Sequence, residues 1–204
     1  VLVLTRNRTP RSEETTMTRV LTLVARIALA ASVPAQATVV EALTLQQMCD
    51  DAHAVLHGTC ASVRTEWTSD RAYVVTTYEF RVTEWLKGGA ATGTTFVTHL
   101  GGEKDGVGTG VSGMPRYAEG VEVVLFLNQP HEATGCCMPL GLGQGAFHVK
   151  DSARGGQSVF RSFAGLVFWN PVTGTATQPE SELTGEQPLA DFLAEVRTRI
   201  AASR

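Results

Sequence analysis

The sequence predicts a mainly β domain with flanking helices, an α+β fold whose antiparallel strands form a small barrel or sandwich. Alternating apolar residues from Tyr73 to Leu86 are typical of a long strand with one buried face. The nearly unbroken apolar run Val121–Leu127 is typical of a central strand that is covered on both faces. Apolar residues at helical spacing occur before His53 and after Pro188, and they predict two capping helices.

Residues 17–37 have the features of a secretory signal peptide. Met17-Thr18-Arg19 is a short, positively charged start, an apolar run follows, and Ala35-Gln36-Ala37 supplies the small residues that signal peptidase recognises. The apolar run is shorter than the roughly 20 residues of a membrane-spanning helix, and it contains Arg26. We therefore expect cleavage before Thr38 and export to the periplasm or the medium.

The mature chain is more acidic than the whole sequence. Without the first 37 residues, 12 lysines and arginines remain against 18 aspartates and glutamates, so the net charge changes from −3 to −6. This sign argues against a nucleic-acid partner, because phosphates require a basic surface. No second apolar segment reaches membrane-spanning length, so we expect no membrane span after cleavage. We expect residues 1–16 to be an upstream leader or a disordered segment.

The predicted barrel domain covers residues 38–172. Its first element is a short helix over 43–52, where Leu45, Met48, Cys49 and Ala52 follow the spacing i, i+3, i+4, i+7. Strand composition follows at 53–63, and Gly58 within it indicates a bulge or a close backbone approach. The long strand from Tyr73 then places one set of apolar residues on a single face, namely Val74, Tyr78, Phe80, Val82 and Leu86.

A third strand is predicted at 94–100, and further strands are predicted after it. Residues 101–113 are rich in glycine and predict a long flexible loop, which leads through Met114-Pro115-Arg116-Tyr117 into the central strand. Strand composition returns at 142–149 and again at 159–169. Residues 173–187 are polar and predict a loop or linker. The segment 188–204 predicts an amphipathic helix that starts at Pro188, with an apolar face of Leu189, Phe192, Leu193, Val196 and Ile200.

All four cysteines lie in the predicted mature chain, and an even count in an exported protein favours disulfides. Adjacent cysteines rarely bond to each other. The favoured frameworks therefore join Cys49 and Cys60 to Cys136 and Cys137 in either of two connectivities, or leave one pair reduced. A weaker alternative is a zinc site made by Cys49, His53, His57 and Cys60, because one continuous helix would place these four side chains on one face. No cofactor is predicted.

Three patterns bear on catalysis and ligand binding. Ser112, with His99 and Asp105, would be the residues of a hydrolase, although the final glycine of a nucleophile elbow is missing. Gly108-x-Gly110-x-x-Gly113 matches a dinucleotide fingerprint, but it begins no predicted helix. The three tryptophans, Trp67, Trp85 and Trp169, fit a ligand groove less well than the core or the barrel rim.

Residues 43–149 resemble a broad set of exported bacterial proteins of unassigned function. The resemblance rests on the helix from Leu43 to Ala52 and on several later motifs: Ala54–Gly58, Phe80–Gly88, Gly101-Gly102, Gly113–Tyr117, Gly120–Leu127 and Gly141-x-Gly143-Gln144-Gly145 with Phe147. It implies export and a shared fold, and it carries no activity to this chain.

The order of the predicted elements also resembles that of the netrin-type domain. This order is a short helix, a strand, a long strand ending in Leu86-Lys87-Gly88, a glycine-rich loop and the central strand. That resemblance implies an OB-like β-barrel and a relation to tissue inhibitors of metalloproteinases. Those inhibitors chelate the zinc of a protease through an amino-terminal cysteine. Here the expected amino terminus is Thr38 and the first cysteine is Cys49, so the chelating mechanism has no matching residue.

These observations favour an exported, non-enzymatic domain that binds a protein or an extracellular polymer. The glycine-rich loop is the predicted contact surface, because long loops commonly carry binding sites. Its candidate contact residues are Glu103, Lys104, Asp105, Arg116 and Tyr117. The alternatives are a protease inhibitor or modulator of the netrin type and a secreted hydrolase or zinc-binding protein.

Overall fold

The computed structural model describes residues 37–89, 93–132, 136–153, 155–177 and 186–203. The predicted leader and all but the last residue of the predicted signal peptide lie outside the described residues. Twelve strands and two α-helices are described. The strands are β1 Thr38–Glu41, β2 Ala54–Trp67, β3 Val74–Lys87, β4 Gly93–Leu100, β5 Gly102–Lys104, β6 Val107–Thr109, β7 Glu122–Leu127, β8 Ala146–Asp151, β9 Gln157–Phe160, β10 Leu166–Asn170, β11 Thr175–Thr177 and β12 Gln187–Pro188; the helices are α1 Leu45–Asp51 and α2 Leu189–Ala202.

Seven strands form the main sheet, in the order β12-β9-β8-β7-β2-β3-β4, and every neighbouring pair is antiparallel. A second sheet has the order β1-β10-β11 and contains one parallel pair, β1 with β10. The prediction of a mainly β fold with flanking helices is therefore confirmed. Strand pairing among the described residues leaves β12 and β4 as sheet edges and does not close the sheet into a barrel.

The predicted central strand is confirmed as β7, which separates two apolar cores. Val123, Leu125 and Leu127 pack on one face of the sheet, while Val124 and Phe126 pack on the other. All five are buried because β7 has a neighbouring strand on each side and a core on each face.

The core on one face of the sheet is covered by both helices. Met48 and Cys49 of α1 are buried in it, together with the whole predicted apolar face of α2. A capping box starts α1: the Thr44 hydroxyl accepts from the Gln47 N–H, and the Gln47 side chain accepts from the Thr44 N–H. Both predicted helices are thus confirmed. No helix in the described part of the chain is long and apolar enough to cross a membrane.

The core on the opposite face lies within the curve of the long β2–β3 hairpin. The β2–β3 register shifts three times, and the shift between His57 and Gly58 confirms the predicted bulge or close approach. One expected face is wrong at its end. The β2–β3 register skips Thr83, which reverses the alternation beyond it, so Leu86 packs in the helix-covered core. Its neighbour Trp85 contacts the core that contains Val82.

Two segments that were expected to be irregular contain strands. Within 101–113, β5 and β6 form a hairpin whose two turn residues, Asp105 and Gly106, have φ values of 53° and 77°. Positive φ at both positions is the requirement of a type I′ turn, for which Asp-Gly is a preferred sequence. Within the expected linker 173–187, β11 pairs with β10 and Gln187 begins β12, while residues 178–185 lie outside the described part.

Gly58→Ala should destabilise the fold, because a Cβ at this position would lie 2.6 Å from the Arg81 carbonyl oxygen. Both groups are constrained by the hairpin, so we expect a loss of about 1–3 kcal/mol in the free energy of unfolding. Urea denaturation measures it. The control is Gly108→Ala, where no atom lies within 4 Å of the added Cβ. Equal stability of the two variants would contradict the close approach.

Candidate functional site

A cleft of about 260 Å³ lies beside the segment 101–117, where the ends of β2, β3 and β4 meet it. We call it the first cleft. Its lining combines main-chain atoms of the glycine-rich segment with side chains of the sheet: Val63, Thr65, Thr76, Tyr78, His99, Leu100, Gly101, Gly102, Glu103, Gly110, Val111, Met114, Pro115, Arg116 and Tyr117. The threonine hydroxyls hold this wall together, because Thr65 and Thr76 are 3.0 Å apart and Thr76 donates to the Gly101 carbonyl at 2.7 Å.

Three rings form the floor of the first cleft. Tyr78 of β3 lies 4.9 Å from Tyr117 and 5.1 Å from His99 of β4, measured between ring centroids. The His99 and Tyr117 centroids are 5.8 Å apart. Edge-to-face and tilted contacts of this kind are favourable for aromatic rings and hold the floor rigid.

The floor contains polar atoms without hydrogen-bond partners. His99 is 2 % exposed, and neither of its ring nitrogens makes a hydrogen bond of good geometry. Burial lowers the pKa of His99 to about 4, against a smaller opposing effect of the Pro115 carbonyl, so the imidazole is neutral at pH 7. The Tyr117 hydroxyl is also buried and unpartnered, and burial raises its pKa well above the usual value. Unsatisfied buried polar groups are costly and often mark functional positions.

The rim carries a cation. Arg116 is exposed, and no carboxylate among the described residues forms an ion pair with it. Its guanidinium is close enough to Tyr78 to lower the pKa of that phenol, although the larger effect of burial still raises it.

A second cleft, of about 250 Å³, is also lined by Met114-Pro115-Arg116, which we call the strap. The strap lines both clefts. The remaining lining of the second cleft is Gly113, Gly143, Ala146, His148, Ser162 and Ala164. The His148 ring is stacked on Phe160 at 5.5 Å and lies 5.9 Å from Tyr117, and burial lowers its pKa. Tyr117 therefore lies between the histidines of the two clefts.

The predicted contact residues divide into two groups. Glu103, Arg116 and Tyr117 line the first cleft. Lys104 and Asp105 lie at the tip of the β5–β6 hairpin, where the Asp105 carboxylate accepts a hydrogen bond from the Trp67 indole at 2.9 Å.

The candidate hydrolase residues are not joined into a catalytic set. The Ser112 hydroxyl donates to the Gly165 carbonyl at 3.0 Å, and Asp105 is bound to Trp67. His99, which would have to accept the serine proton, makes no hydrogen bond to either residue. The tryptophans do not line one groove either, because Trp67 and Trp85 lie at opposite ends of the β2–β3 hairpin.

The candidate zinc ligands are not brought together. Cys49 lies in the helix-covered core and Cys60 in the opposite core, because β2 is extended where a helix would have aligned them. His57 instead bonds Glu122 through Nε2 at 2.7 Å. No group of three or more His, Cys, Asp or Glu side chains with metal-binding geometry occurs in the described part of the chain.

No disulfide joins the four cysteines, all of which lie among the described residues as buried thiols. Their positions explain this. Cys60 bonds through its N–H to Val121 at one end of β7, and the Cys137 thiol donates to the Asn128 carbonyl at the other end. Cys49 is separated from both because it packs on the other face of the sheet. None of the predicted pairings is formed.

Sequence reasoning missed a polar cluster on the helix-covered face. His57 lies between Glu122 and Glu84, whose Oε1 is 3.8 Å from Nδ1, and Arg197 of α2 bonds both oxygens of Glu84 at 2.7 and 2.8 Å. Glu122 also accepts from Gln157 at 2.8 Å. The cluster joins α2 to the sheet. Its members come from five elements, so no local sequence pattern indicates it.

No protein-family model matches the chain, and no curated protein matches it either.

Stability should fall as the pH decreases from 6.5 towards 4, because His99 is neutral in the folded state and takes up a proton in the unfolded state. A pKa lowered from 6.5 to about 4 corresponds to a loss of about 3 kcal/mol over this window. Urea denaturation at several pH values measures it. His99→Leu should flatten the pH dependence, whereas the control Val39→Leu, an exposed substitution that changes no ionisable group, should leave it unchanged. Identical slopes for all three proteins would contradict the burial of a neutral His99.

The denatured protein should react with about four equivalents of a thiol reagent without prior reduction, because the structure contains four thiols. The native protein should react slowly, because all four are buried and burial raises the pKa of Cys49 and of Cys137 to about 11. Intact-mass analysis after alkylation measures both, with a pre-reduced sample as the control. Two alkylated cysteines or none in the unreduced denatured sample would restore the disulfide hypothesis.

Proposed function

We propose that the chain is an exported, non-enzymatic domain that binds a protein or an extracellular polymer through the segment 101–117 and its two clefts. The observation that carries the proposal is the exposed guanidinium of Arg116, which forms no ion pair with a described carboxylate and lies on a strap that borders both clefts. Beneath the strap lies a rigid floor with unpartnered polar atoms. A surface with a fixed floor and a few convergent polar groups is the usual form of a binding site.

The bonds of the candidate catalytic residues support binding over catalysis. A serine nucleophile needs a base within hydrogen-bond reach, and the Ser112 hydroxyl is directed to a main-chain carbonyl. The export part of the proposal rests on the features of residues 17–37 alone. Analysis of the intact mass of the exported protein would locate its first residue.

We also propose that the curved part of the main sheet is an OB-like barrel, in which the segment 136–139 connects β4 to β7. Three contacts support this: the Cys137 N–H donates to the Thr98 carbonyl of β4 at 3.1 Å, the Asn128 N–H donates to Met138, and Pro139 forms a bridge with Leu127. The core of Tyr78, Phe80, Val97 and Leu125 would be the barrel interior. A barrel alone carries no function, and the buried position of Cys49 gives the netrin-type inhibitor hypothesis no support.

Replacing Glu103, Lys104, Asp105 and Arg116 together by alanine should abolish the capture of a binding partner from culture supernatant by the immobilised protein. All four side chains are exposed, so the fold should be retained. Partner capture is measured by quantitative mass spectrometry of the eluate.

The control variant carries alanine at four other exposed positions outside both clefts, namely Asp51, Arg81, Lys150 and Asp151. Like the test variant, it removes two acidic and two basic side chains, so the net charge is unchanged in both. Capture should survive in this control. Equal capture by the wild type and the 101–117 variant would refute the proposed contact surface, and inhibition of an extracellular protease by the wild type would favour the inhibitor hypothesis.

A further inference from the structure

The strap contributes to the lining of both clefts, and Arg116 is the residue through which both can hold the same charged group. The second cleft has no acidic residue in its described lining, so Arg116 is its one charge. In the first cleft, Glu103 faces the same space as Arg116. An anion is therefore favoured on the side of the strap that faces the second cleft, because a cation there has no carboxylate to compete with the ligand.

The other polar groups around the strap are neutral. His148 and Ser162 line the second cleft, Thr65 and Thr76 line the first, and burial lowers the pKa of both His148 and His99. The Thr65 and Thr76 hydroxyls are bonded to each other and to the Gly101 carbonyl, so they belong to the wall of the first cleft. In the second cleft, the neutral His148 imidazole and the Ser162 hydroxyl can each donate and accept a hydrogen bond, which matches the hydroxyl groups of a ligand. No hydrogen bond from the His148 ring to another described residue occupies that capacity.

We propose that the strap binds an acidic polysaccharide: the Arg116 guanidinium pairs with the carboxylate of one uronic acid unit, and the adjoining sugar units lie in the two clefts. This inference rests on the proposed function and names its ligand class. A sugar acid combines one planar anion, which a guanidinium binds in a bidentate fashion, with several hydroxyls on a ring. The two clefts, of about 260 and 250 Å³, both include Arg116 in their lining, as consecutive units of one chain would require.

An acidic peptide is the less favoured source of the same carboxylate. An extended peptide gains most of its affinity from main-chain hydrogen bonds to a free strand edge. At the first cleft the neighbouring main chain is already bonded, since the Gly101 N–H donates to Val74 and its carbonyl accepts from Thr76. The second cleft offers the Ser162 hydroxyl and the His148 ring, which are side-chain groups that suit a sugar better.

Isothermal titration calorimetry of the full-length protein with polygalacturonate at pH 7 and 0.15 M salt tests the proposal. The comparison ligands are fully methyl-esterified polygalacturonate, which lacks the charge, and poly-glutamate, which has the carboxylate on a peptide. We expect binding of polygalacturonate and a loss of roughly tenfold or more in affinity for the ester, as for a lost charge-assisted hydrogen bond. Equal or tighter binding of poly-glutamate would overturn the polysaccharide assignment.

Three variants test which residue binds the carboxylate of the polysaccharide. Arg116→Gln should weaken polygalacturonate binding roughly tenfold or more, and Arg81→Gln, an exposed arginine outside both clefts, should change it less than about twofold. Glu103→Gln should strengthen binding, because it removes the one carboxylate that faces the same space. Equal effects of the two arginine substitutions would overturn the role of Arg116. Absence of polygalacturonate binding, with partner capture still dependent on 101–117, would overturn the ligand class and leave the proposed function standing.

Discussion

The close approach of β2 to β3 at Gly58 is the constraint on which the rest of the molecule depends. At that position the two main chains are so near that the site of a missing Cβ is 2.6 Å from the Arg81 carbonyl oxygen. The register shifts around it bend the hairpin, and bulges of this kind increase the twist of a sheet. The two faces of the hairpin contribute to two different cores, and α2 packs in the core on one of these faces. The free ends of the same strands, with β4, form the wall of the first cleft.

Most of the architecture could be predicted from local patterns of apolar residues in the sequence. The strand β7 and the apolar faces of α1 and α2 were predictable from sequence, because the spacing of apolar residues in each segment follows from the geometry of that strand or helix itself. Leu86 was assigned to the wrong core because a bulge reverses the alternation after it, and a bulge depends on the partner strand. The Asp105-Gly106 turn was predictable in principle, since that dipeptide between short extended segments is a hairpin signal. The parallel pairing of β1 with β10 joins segments over 100 residues apart, so it follows from tertiary structure only.

The residues of the candidate site also differ in whether local sequence patterns could predict them. Glu103, Arg116 and Tyr117 were identifiable because they belong to one glycine-rich segment with an unusual composition. His99 and His148 were not identifiable as parts of a binding site, because β4 and β8 bring them to the two sides of Tyr117 from distant parts of the chain. The cysteine predictions were wrong for the structure for a related reason. The zinc prediction rested on spacing in the sequence, and the disulfide prediction rested on an even number of cysteines. In the structure, Cys49 lies on one face of the sheet and Cys60 on the other, while Cys60 and Cys137 lie near opposite ends of β7.

Four described residues have buried polar side-chain atoms without a hydrogen-bond partner, and two of them, His99 and Tyr117, lie at the first cleft, whereas His57 and Ser158 lie elsewhere. A buried imidazole or hydroxyl without a partner costs about 1–3 kcal/mol, and an apolar residue of similar size would remove that cost. His99 and Tyr117 are both such residues, they touch each other, and they lie beneath the strap that carries Arg116. The enclosed core around them is otherwise aromatic and aliphatic, so packing alone gives no reason for polar atoms there. Because these atoms are buried, a ligand in the first cleft is contacted by Arg116 and the exposed part of the lining, while His99 and Tyr117 form the packed floor beneath them.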